Sequence, residues 1–237
     1  MHSIINDGEF VKDYETFHPF GPRIFKSKLS AEDLTFLQNF AEIARNAPSA
    51  GSTLSGNIKD QKTSNTGNKE KEEHVLKILC PYIIEWYKIE DQQRLWFLDK
   101  NDPEFENLKN VDYNSIQFHT GTGTWFNYMK ANEFNPLHAH SGSISGIVMV
   151  KVPEEISQEP DNIKIESNAR CPGMLEWVHG EFGAGAYRTY PVEGDIYLFD
   201  AKLRHQVYPF QSNVERITMS WNVFETSFDK KIEVNFE

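Results

Sequence analysis

The sequence predicts a mainly β protein with N-terminal helices, in which a jelly-roll core is backed by two or three helices. Three observations support this fold class. Aromatic residues, which favour β structure, make up 13% of the chain. From Tyr113 onward, short β-branched and aromatic segments are separated by turn residues, whereas two helical stretches precede them. Helices followed by a run of short strands are typical of a helix-backed jelly roll.

The predicted strands lie in residues 111–237, which we expect to form the core of the protein. They are YNSIQFHT, TWFNYMKA, ISGIVMVKV, LEWVHG, AYRTYPV, DIYLFDA, RHQVYPF and ERITMSWNVF. Turn residues separate most of them, at Gly121–Gly123, Asn135–Pro136, Pro172–Gly173, Glu193–Gly194 and Gln211–Asn213. This regular spacing indicates a sandwich or a barrel.

The chain is predicted to be one domain, 1–237, whose first part, 1–110, is rich in helices and loops. Ser30 is a good N-cap, and the helical spacing of apolar residues after it predicts a helix that ends by Pro48. Residues 49–68 are rich in Ser, Gly, Asn and Lys, a composition that predicts a long loop.

A second helix is predicted over residues 69–89, where apolar positions again recur at helical spacing. Pro81 falls inside it, and we expect a kink or a break there because proline has no N–H and clashes with the preceding turn. Residues 1–29 are expected to be extended, since their prolines interrupt any helix.

The composition also excludes several functions. The net charge is −11 at pH 7, whereas a nucleic-acid partner requires a basic face, so none is expected. No apolar run is long enough to span a membrane, and the polar start of the chain lacks a signal-peptide core. Cys80 and Cys171 stand outside any CxxC pair, which favours a cytoplasmic protein with reduced thiols.

The segment NPLHAHSGSISG contains two histidines two positions apart. If His138 and His140 lie on one extended strand, their side chains point to the same face, where two neutral imidazoles can bind one divalent metal. The alternative is a pair of histidines at a polar strand end. His205 opens a later predicted strand, and a barrel could bring it to the other two, although a lone histidine at a strand edge is more often a surface residue.

The last predicted strand, ERITMSWNVF, has one polar face, formed by Arg216, Thr218 and Ser220. An arginine on an inward barrel face is costly unless it meets an anion. A guanidinium can bind a carboxylate through two hydrogen bonds, and a nearby hydroxyl can add another. The alternative is an outward-facing arginine on a solvated face.

Taken together, these segments resemble the 2-oxoglutarate/Fe(II)-dependent dioxygenase superfamily. The resemblance covers Trp125 to Phe224 and is greatest to a small phage and bacterial family with an HxH…H…RxS/T pattern. It implies a double-stranded β-helix (jelly roll, cupin-like) and a non-heme Fe(II) oxidoreductase. Such an enzyme couples O₂ to the decarboxylation of 2-oxoglutarate to succinate, and hydroxylates a C–H bond in a peptide side chain or a small metabolite.

The resemblance also implies a metal site. His138 and His205 match the two metal-binding histidines of the superfamily. His140 stands where many members carry an aspartate, so this chain departs from the two-histidine, one-carboxylate pattern. Either His140 or water therefore completes the metal shell.

A co-substrate site is implied in the same way. Arg216 matches the residue that binds the far carboxylate of 2-oxoglutarate, and Thr218 matches the hydroxyl beside it. Asn127 and Tyr128 lie on the strand before the HxH segment, where polar residues often contact the co-substrate.

Two other functions stay open on the residues alone. A cupin-like metalloprotein could use three histidine ligands without 2-oxoglutarate, and it would not need Arg216 inside the barrel. A non-catalytic jelly-roll module for binding would need none of the histidines.

Overall fold

The structure, a computed structural model, describes residues 13–17, 21–113, 123–162, 171–180 and 185–224. Its helices are α1 (Ala31–Ala44), α2 (Lys69–Phe97), α3 (Pro103–Lys109) and α4 (Glu154–Asn162). Its strands are β1 (Tyr14–Phe17), β2 (Ile24–Lys28), β3 (Gln61–Thr63), β4 (Thr124–Met129), β5 (Asn135–His138), β6 (Ile144–Lys151), β7 (Leu175–Val178), β8 (Ala186–Thr189), β9 (Asp195–Asp200), β10 (Arg204–Val207) and β11 (Arg216–Val223). None of the helices described is long and apolar enough to cross a membrane.

The strands form two antiparallel sheets. The larger sheet has the order β1-β2-β9-β6-β11-β4-β3, and the smaller has the order β5-β10-β7-β8. From β4 to β11 the chain passes back and forth between the sheets, with one hairpin, β7–β8, inside the smaller sheet. This topology is a jelly roll, so the predicted fold class is confirmed.

The larger sheet is covered on both faces. On one face Phe126 and Ile217 pack with Leu79 of α2 in a core that joins the sheet to the helices. On the other face Phe199 packs with Trp177 of the smaller sheet in a second core. Because side chains alternate along a strand, β2, β4, β6 and β9 contribute to both cores. The candidate site lies between this second face and the smaller sheet.

The two N-terminal helices are close to their predicted positions. α1 begins after Ser30, whose hydroxyl accepts the N–H of Asp33 at 3.0 Å. We expected a kink or a break at Pro81, but α2 runs through this residue without a break and continues to Phe97. Proline in a helix interior costs about 3 kcal/mol, which the buried side chains around it, including Leu79 and Ile83, can offset. The short helices α3 and α4 were not predicted.

Other predictions need correction. The stretch 49–68, predicted as a loop, contains β3, which pairs with β4 at the edge of the larger sheet. A strand of three residues is too short to show an alternating pattern. The predicted turn at Asn135–Pro136 instead begins β5, an edge strand that tolerates the missing N–H of proline. The predicted strand YNSIQFHT lies, apart from Tyr113, outside the described residues.

Candidate active site

Three histidines converge where β5 pairs with β10. His138 ends β5 and is the direct antiparallel neighbour of His205 in β10. His140 lies just beyond β5, so the two HxH residues do not share one strand as we expected. The N–H of His140 donates to the carbonyl of Ala201 at 2.8 Å, which holds it in the turn next to β10. Potential ligand atoms of the three side chains lie within 4.8 Å of one another.

Backbone carbonyls orient two of the three rings. Nδ1 of His138 lies 2.7 Å from the carbonyl oxygen of Pro136, and Nδ1 of His205 lies 2.9 Å from that of Leu203. Since a carbonyl only accepts, each Nδ1 carries the proton and each Nε2 keeps its lone pair. Nε2 of His140 is 3.2 Å from Nε2 of His205, so these atoms converge on a common point. Such a set of imidazoles could hold a divalent metal.

The environment keeps these imidazoles neutral. Burial and, to a lesser extent, the neighbouring His138 together lower the pKa of His140 to about 4. Burial and the same neighbour lower the pKa of His205 to about 3. Burial also lowers the pKa of His138. The neutral form, which is the one that binds metal, is therefore present at neutral pH.

A cavity of about 50 Å³ connects the histidines to Arg216. Arg216 begins β11, whereas Val223 at the other end of that strand pairs with Ile144, just after the histidine turn. The guanidinium therefore lies toward the opposite end of the larger sheet from the histidines. Thr218, next to Arg216 on the same face of β11, also lines the cavity.

The Arg216 guanidinium is buried without an acidic partner. Its side chain is 2% exposed, and within the described ranges no carboxylate lies within ion-pair distance. Nη1 donates to the carbonyl of Gly173 at 2.5 Å, Nη2 lies 2.7 Å from Sδ of Met129, and Nε has no hydrogen-bond partner. Burial lowers the pKa of Arg216 to about 10, so the group is still charged at neutral pH. An anion in the cavity would compensate this charge.

A row of polar side chains lies on the cavity wall beside Arg216. Nδ2 of Asn127 donates to the hydroxyl of Thr218 at 3.2 Å and lies 3.5 Å from that of Ser220. Nε2 of Gln61 donates to Oδ1 of Asn127 at 2.8 Å, which fixes the orientation of this amide. Gln61 was missed by the sequence analysis because β3 lies in the stretch that was predicted as a loop.

Tyr128 does not lie in this cavity, and its prediction as a co-substrate contact is wrong. It follows Asn127 on β4, and neighbouring residues of a strand point to opposite faces. Its ring is in the core beneath the helices, and its hydroxyl donates to the carbonyl of Ala41 at 2.5 Å.

Comparison with known proteins identifies the region that carries this site. Residues 123–222 match the sequence profile of a family described as "Putative 2OG-Fe(II) oxygenase". The resemblance to the 2-oxoglutarate/Fe(II)-dependent oxygenases is confirmed. The matched region includes the three histidines, Arg216 and the residues around it, and it spans less than half of the chain. No curated protein matches the sequence.

Solved structures of 2-oxoglutarate/Fe(II)-dependent (2OG) oxygenases are similar to this chain at low sequence identity. A prolyl hydroxylase from Trichoplax adhaerens, in complex with a peptide fragment of the hypoxia inducible factor oxygen degradation domain, has 13% identity and a TM-score of 0.50, covering 85% of this chain and 83% of its own. A Pseudomonas putida prolyl-4-hydroxylase has 12% identity, a TM-score of 0.43 and coverages of 86% and 93%. An oxidoreductase of the 2OG-Fe(II) oxygenase family from Burkholderia pseudomallei has 12% identity and a TM-score of 0.44, covering 82% of this chain and 79% of its own.

The cofactors that a 2OG oxygenase requires fit the residues present. The family implies Fe(II) and 2-oxoglutarate. Three converging neutral imidazoles form a donor set that could bind divalent iron. An unpaired buried guanidinium, with a free Nε and a hydroxyl on the same strand face, could accept one carboxylate of a dicarboxylic acid.

Proposed function

We propose that this protein is a non-heme Fe(II)- and 2-oxoglutarate-dependent dioxygenase that hydroxylates a C–H bond in a peptide side chain or a small metabolite. One observation carries this proposal. A single cavity has three converging imidazole nitrogens toward one end and a buried, uncompensated arginine toward the other. Bound Fe(II) would supply O₂ activation coupled to the decarboxylation of 2-oxoglutarate to succinate.

His138, His140 and His205 would hold the metal. The carbonyls of Pro136 and Leu203 fix the tautomer of two of the rings, so that Nε2 faces the site before the metal arrives. No histidine has to lose a proton on binding, because burial already keeps all three neutral. With His140 as the third ligand, the protein contributes no negative charge to the metal.

Arg216 and Thr218 would bind the far carboxylate of 2-oxoglutarate. The guanidinium has an unused N–H, and the Thr218 hydroxyl lies on the same face of β11. Gln61 and Asn127 would act as positioning residues, because their hydrogen bonds keep the Thr218 hydroxyl in place. A charge-assisted hydrogen bond contributes about 1.5–3 kcal/mol in such a dry setting.

Aromatic rings beside the histidines would exclude water from the site. Trp125 has its ring centroid 6.3 Å from that of His140, and the ring of Phe199 packs against His205 with a centroid distance of 4.7 Å. These contacts restrict the motion of the two imidazoles. A dry pocket also limits side reactions with solvent.

The buried arginine discriminates against the alternative functions. A cupin-like metalloprotein without 2-oxoglutarate gains nothing from an unpaired charge on its inner wall, and burial of that charge destabilises the fold. A non-catalytic module gains nothing from three neutral imidazoles that face one another. A peptide substrate is supported by the fold likeness to the Trichoplax adhaerens enzyme, whose structure contains a peptide.

A turnover assay tests the proposal. The protein would be incubated with Fe(II), 2-oxoglutarate, ascorbate and O₂, and screened against prolyl peptides and small metabolites. We expect iron-dependent succinate formation, and a gain of one oxygen atom in the true substrate by mass spectrometry. Arg216→Gln should lower succinate formation while iron still binds. Succinate formation at the same rate in this variant would refute the co-substrate site, and iron-independent formation would refute the metal site.

A further inference from the structure

Asn135 lines the same cavity as the three histidines and Arg216, and the mechanism outlined above gives it no role. Its Oδ1 is buried, and within the described residues it has no hydrogen-bond partner. Trp177 and Trp221 also have unpaired indole nitrogens at this cavity, but their rings belong to the two hydrophobic cores. Asn135 is therefore a neutral polar side chain whose hydrogen-bonding capacity is available to a ligand in the cavity.

A β-bulge turns Asn135 toward the histidines. His138 is opposite His205 and Asn135 is opposite Val207, so β5 has two intervening residues where β10 has one. On a regular strand, residues three positions apart would point to opposite faces. Directly opposite residues of an antiparallel pair share a face, and Val207 is part of the second core. The bulge thus brings Asn135 and His138 to the cavity side of the smaller sheet.

A loop that leads into β3 lies against the Asn135 amide. A side chain at Gly56 would overlap Oδ1 of Asn135, and the N–H of Asn57 donates to the carbonyl of Phe134 at 2.8 Å, which holds the loop there. Ser55 of the same loop lines the cavity and is exposed, so Asn135 lies where the cavity borders solvent. The last torsion of asparagine is roughly two-fold, so the amide can present its oxygen or its N–H groups to a ligand that enters there.

The side chains of the cavity leave no charge for a substrate. Arg216 is taken by the co-substrate, and the three histidines are neutral. Glu176, the other charged residue of the lining, accepts hydrogen bonds from Nε of Arg188 and from the hydroxyl of Tyr208. A charged group of a substrate would lose its hydration in the cavity without meeting an opposite charge, which is costly. The part of the substrate that reaches the histidines is therefore expected to be neutral.

We propose that the substrate enters as an uncharged peptide segment, and that the side-chain amide of Asn135 binds its main chain. This inference rests on the proposed function, since it takes the histidines as the place of reaction and Arg216 as the partner of the co-substrate. The N–H and C=O of one residue in an extended peptide point to the same side, and a carboxamide has a donor and an acceptor next to each other that can bond both. A free amino acid or another charged metabolite lacks this neutral pair.

The first measurement identifies the substrate class. The protein is incubated with Fe(II), 2-oxoglutarate and O₂, and with either pools of capped pentapeptides, each with one fixed central residue, or a pool of free amino acids and other charged metabolites. Mass spectrometry detects the gain of one oxygen atom, and succinate is measured in parallel. We expect oxidation in at least one peptide pool whose central residue is uncharged, and none in the pool of charged metabolites.

The second measurement tests Asn135 with the peptide so identified. Asn135→Leu keeps the approximate size of the side chain but removes its donor and its acceptor. It should weaken anaerobic binding of the peptide, measured by calorimetry, by about tenfold, which corresponds to about 1.4 kcal/mol. The affinities for Fe(II) and 2-oxoglutarate should be unchanged, which excludes misfolding as the cause. The control, Asn107→Leu, makes the same change at an exposed position on α3 and should bind the peptide like the parent.

Two results would overturn this inference and leave the proposed function intact. One is iron-dependent succinate formation without oxidation of any peptide pool. The other is an Asn135→Leu protein that binds the peptide like the parent, or that loses affinity for 2-oxoglutarate instead, because Asn135 would then contact the co-substrate. If no iron-dependent succinate forms under any condition, the proposed function fails and this inference fails with it.

Discussion

The histidine end and the arginine end of the central cavity lie on different sheets and differ in how they carry charge. The histidines are on the smaller sheet and its adjoining turn, where they are partly exposed and neutral. Arg216 is on the larger sheet, is 2% exposed and carries a permanent charge. Backbone carbonyl oxygens orient two of the three histidine rings. The Arg216 guanidinium contacts one carbonyl oxygen and one thioether sulphur, and its Nε has no hydrogen-bond partner.

This difference indicates that the two ends contribute unequally to stability and to binding. Neutral imidazoles with one satisfied nitrogen cost the fold little. A buried guanidinium without a counter-ion costs several kcal/mol, because a charge loses its hydration when it leaves water. The buried charge of Arg216 therefore destabilises the free protein, and an anionic co-substrate would compensate this charge. Variants at the two ends should separate these effects.

The largest effect is expected at the histidine end. His205→Ala or His138→Ala should abolish Fe(II) binding, and His140→Ala should weaken it severely, because each removes one of the converging nitrogens. Anaerobic titration with Fe(II) measures the affinity. His74→Ala, an exposed histidine on α2, is the matched control. If the His205→Ala protein were folded by circular dichroism and bound iron like the parent, the assignment of the ligands would be wrong.

The next effect concerns the co-substrate. Arg216→Gln should raise the Michaelis constant for 2-oxoglutarate by about 10- to 100-fold, at about 1.4 kcal/mol per decade, because it removes the charge that faces the far carboxylate. Iron affinity should be unchanged, since Arg216 is remote from the histidines. Both constants are measured on the same preparation. Loss of both together would indicate misfolding, and an unchanged Michaelis constant would favour a metalloprotein that does not use 2-oxoglutarate.

Replacing Arg216 should weaken 2-oxoglutarate binding but increase the stability of the fold. Arg216→Met should raise the free energy of unfolding of the metal-free protein by about 1–3 kcal/mol, because an unpaired buried charge is replaced by a flexible apolar chain. The gain is limited because the carbonyl of Gly173 loses its donor. Urea denaturation measures the change in the free energy of unfolding. A fall in stability would mean that the carbonyl and sulphur contacts of Arg216 outweigh its desolvation.

Much of this site could be predicted because strand alternation can be followed directly in the sequence. Alternation on ERITMSWNVF placed Arg216 and Thr218 on one face, and the structure has both on the cavity wall. By the same rule, Asn127 and Tyr128 cannot both face the cavity, because neighbouring residues of a strand point to opposite faces. Our prediction that both contact the co-substrate overlooked this. Gln61 could not be predicted, because its strand has three residues and its function depends on pairing with a distant strand. His140 was predicted beside His138, but the turn that places it there is a tertiary contact with Ala201.

The smallest effect is expected at the hydroxyl beside Arg216. Thr218→Val keeps the size and the β-branched shape of the side chain but removes the oxygen that accepts from Nδ2 of Asn127. The loss of one neutral hydrogen bond is worth about 0.5–1.5 kcal/mol, so the Michaelis constant for 2-oxoglutarate should rise by about 2- to 10-fold. Ser220→Ala is the matched control, since its hydroxyl lies 3.5 Å from the same nitrogen and further along β11 from Arg216.

Steady-state kinetics at varied 2-oxoglutarate, with iron affinity measured in parallel, distinguishes these two variants. A hydroxyl that contacts the co-substrate gives a change in Thr218→Val that exceeds the change in Ser220→Ala, at constant iron affinity. If the two variants behave alike, Thr218 acts through its hydrogen bond with Asn127 and not through direct contact with the co-substrate. In that case Gln61→Leu, which frees the Asn127 amide, should reproduce the effect of Thr218→Val, because Gln61 Nε2 is the donor that fixes Oδ1 of Asn127.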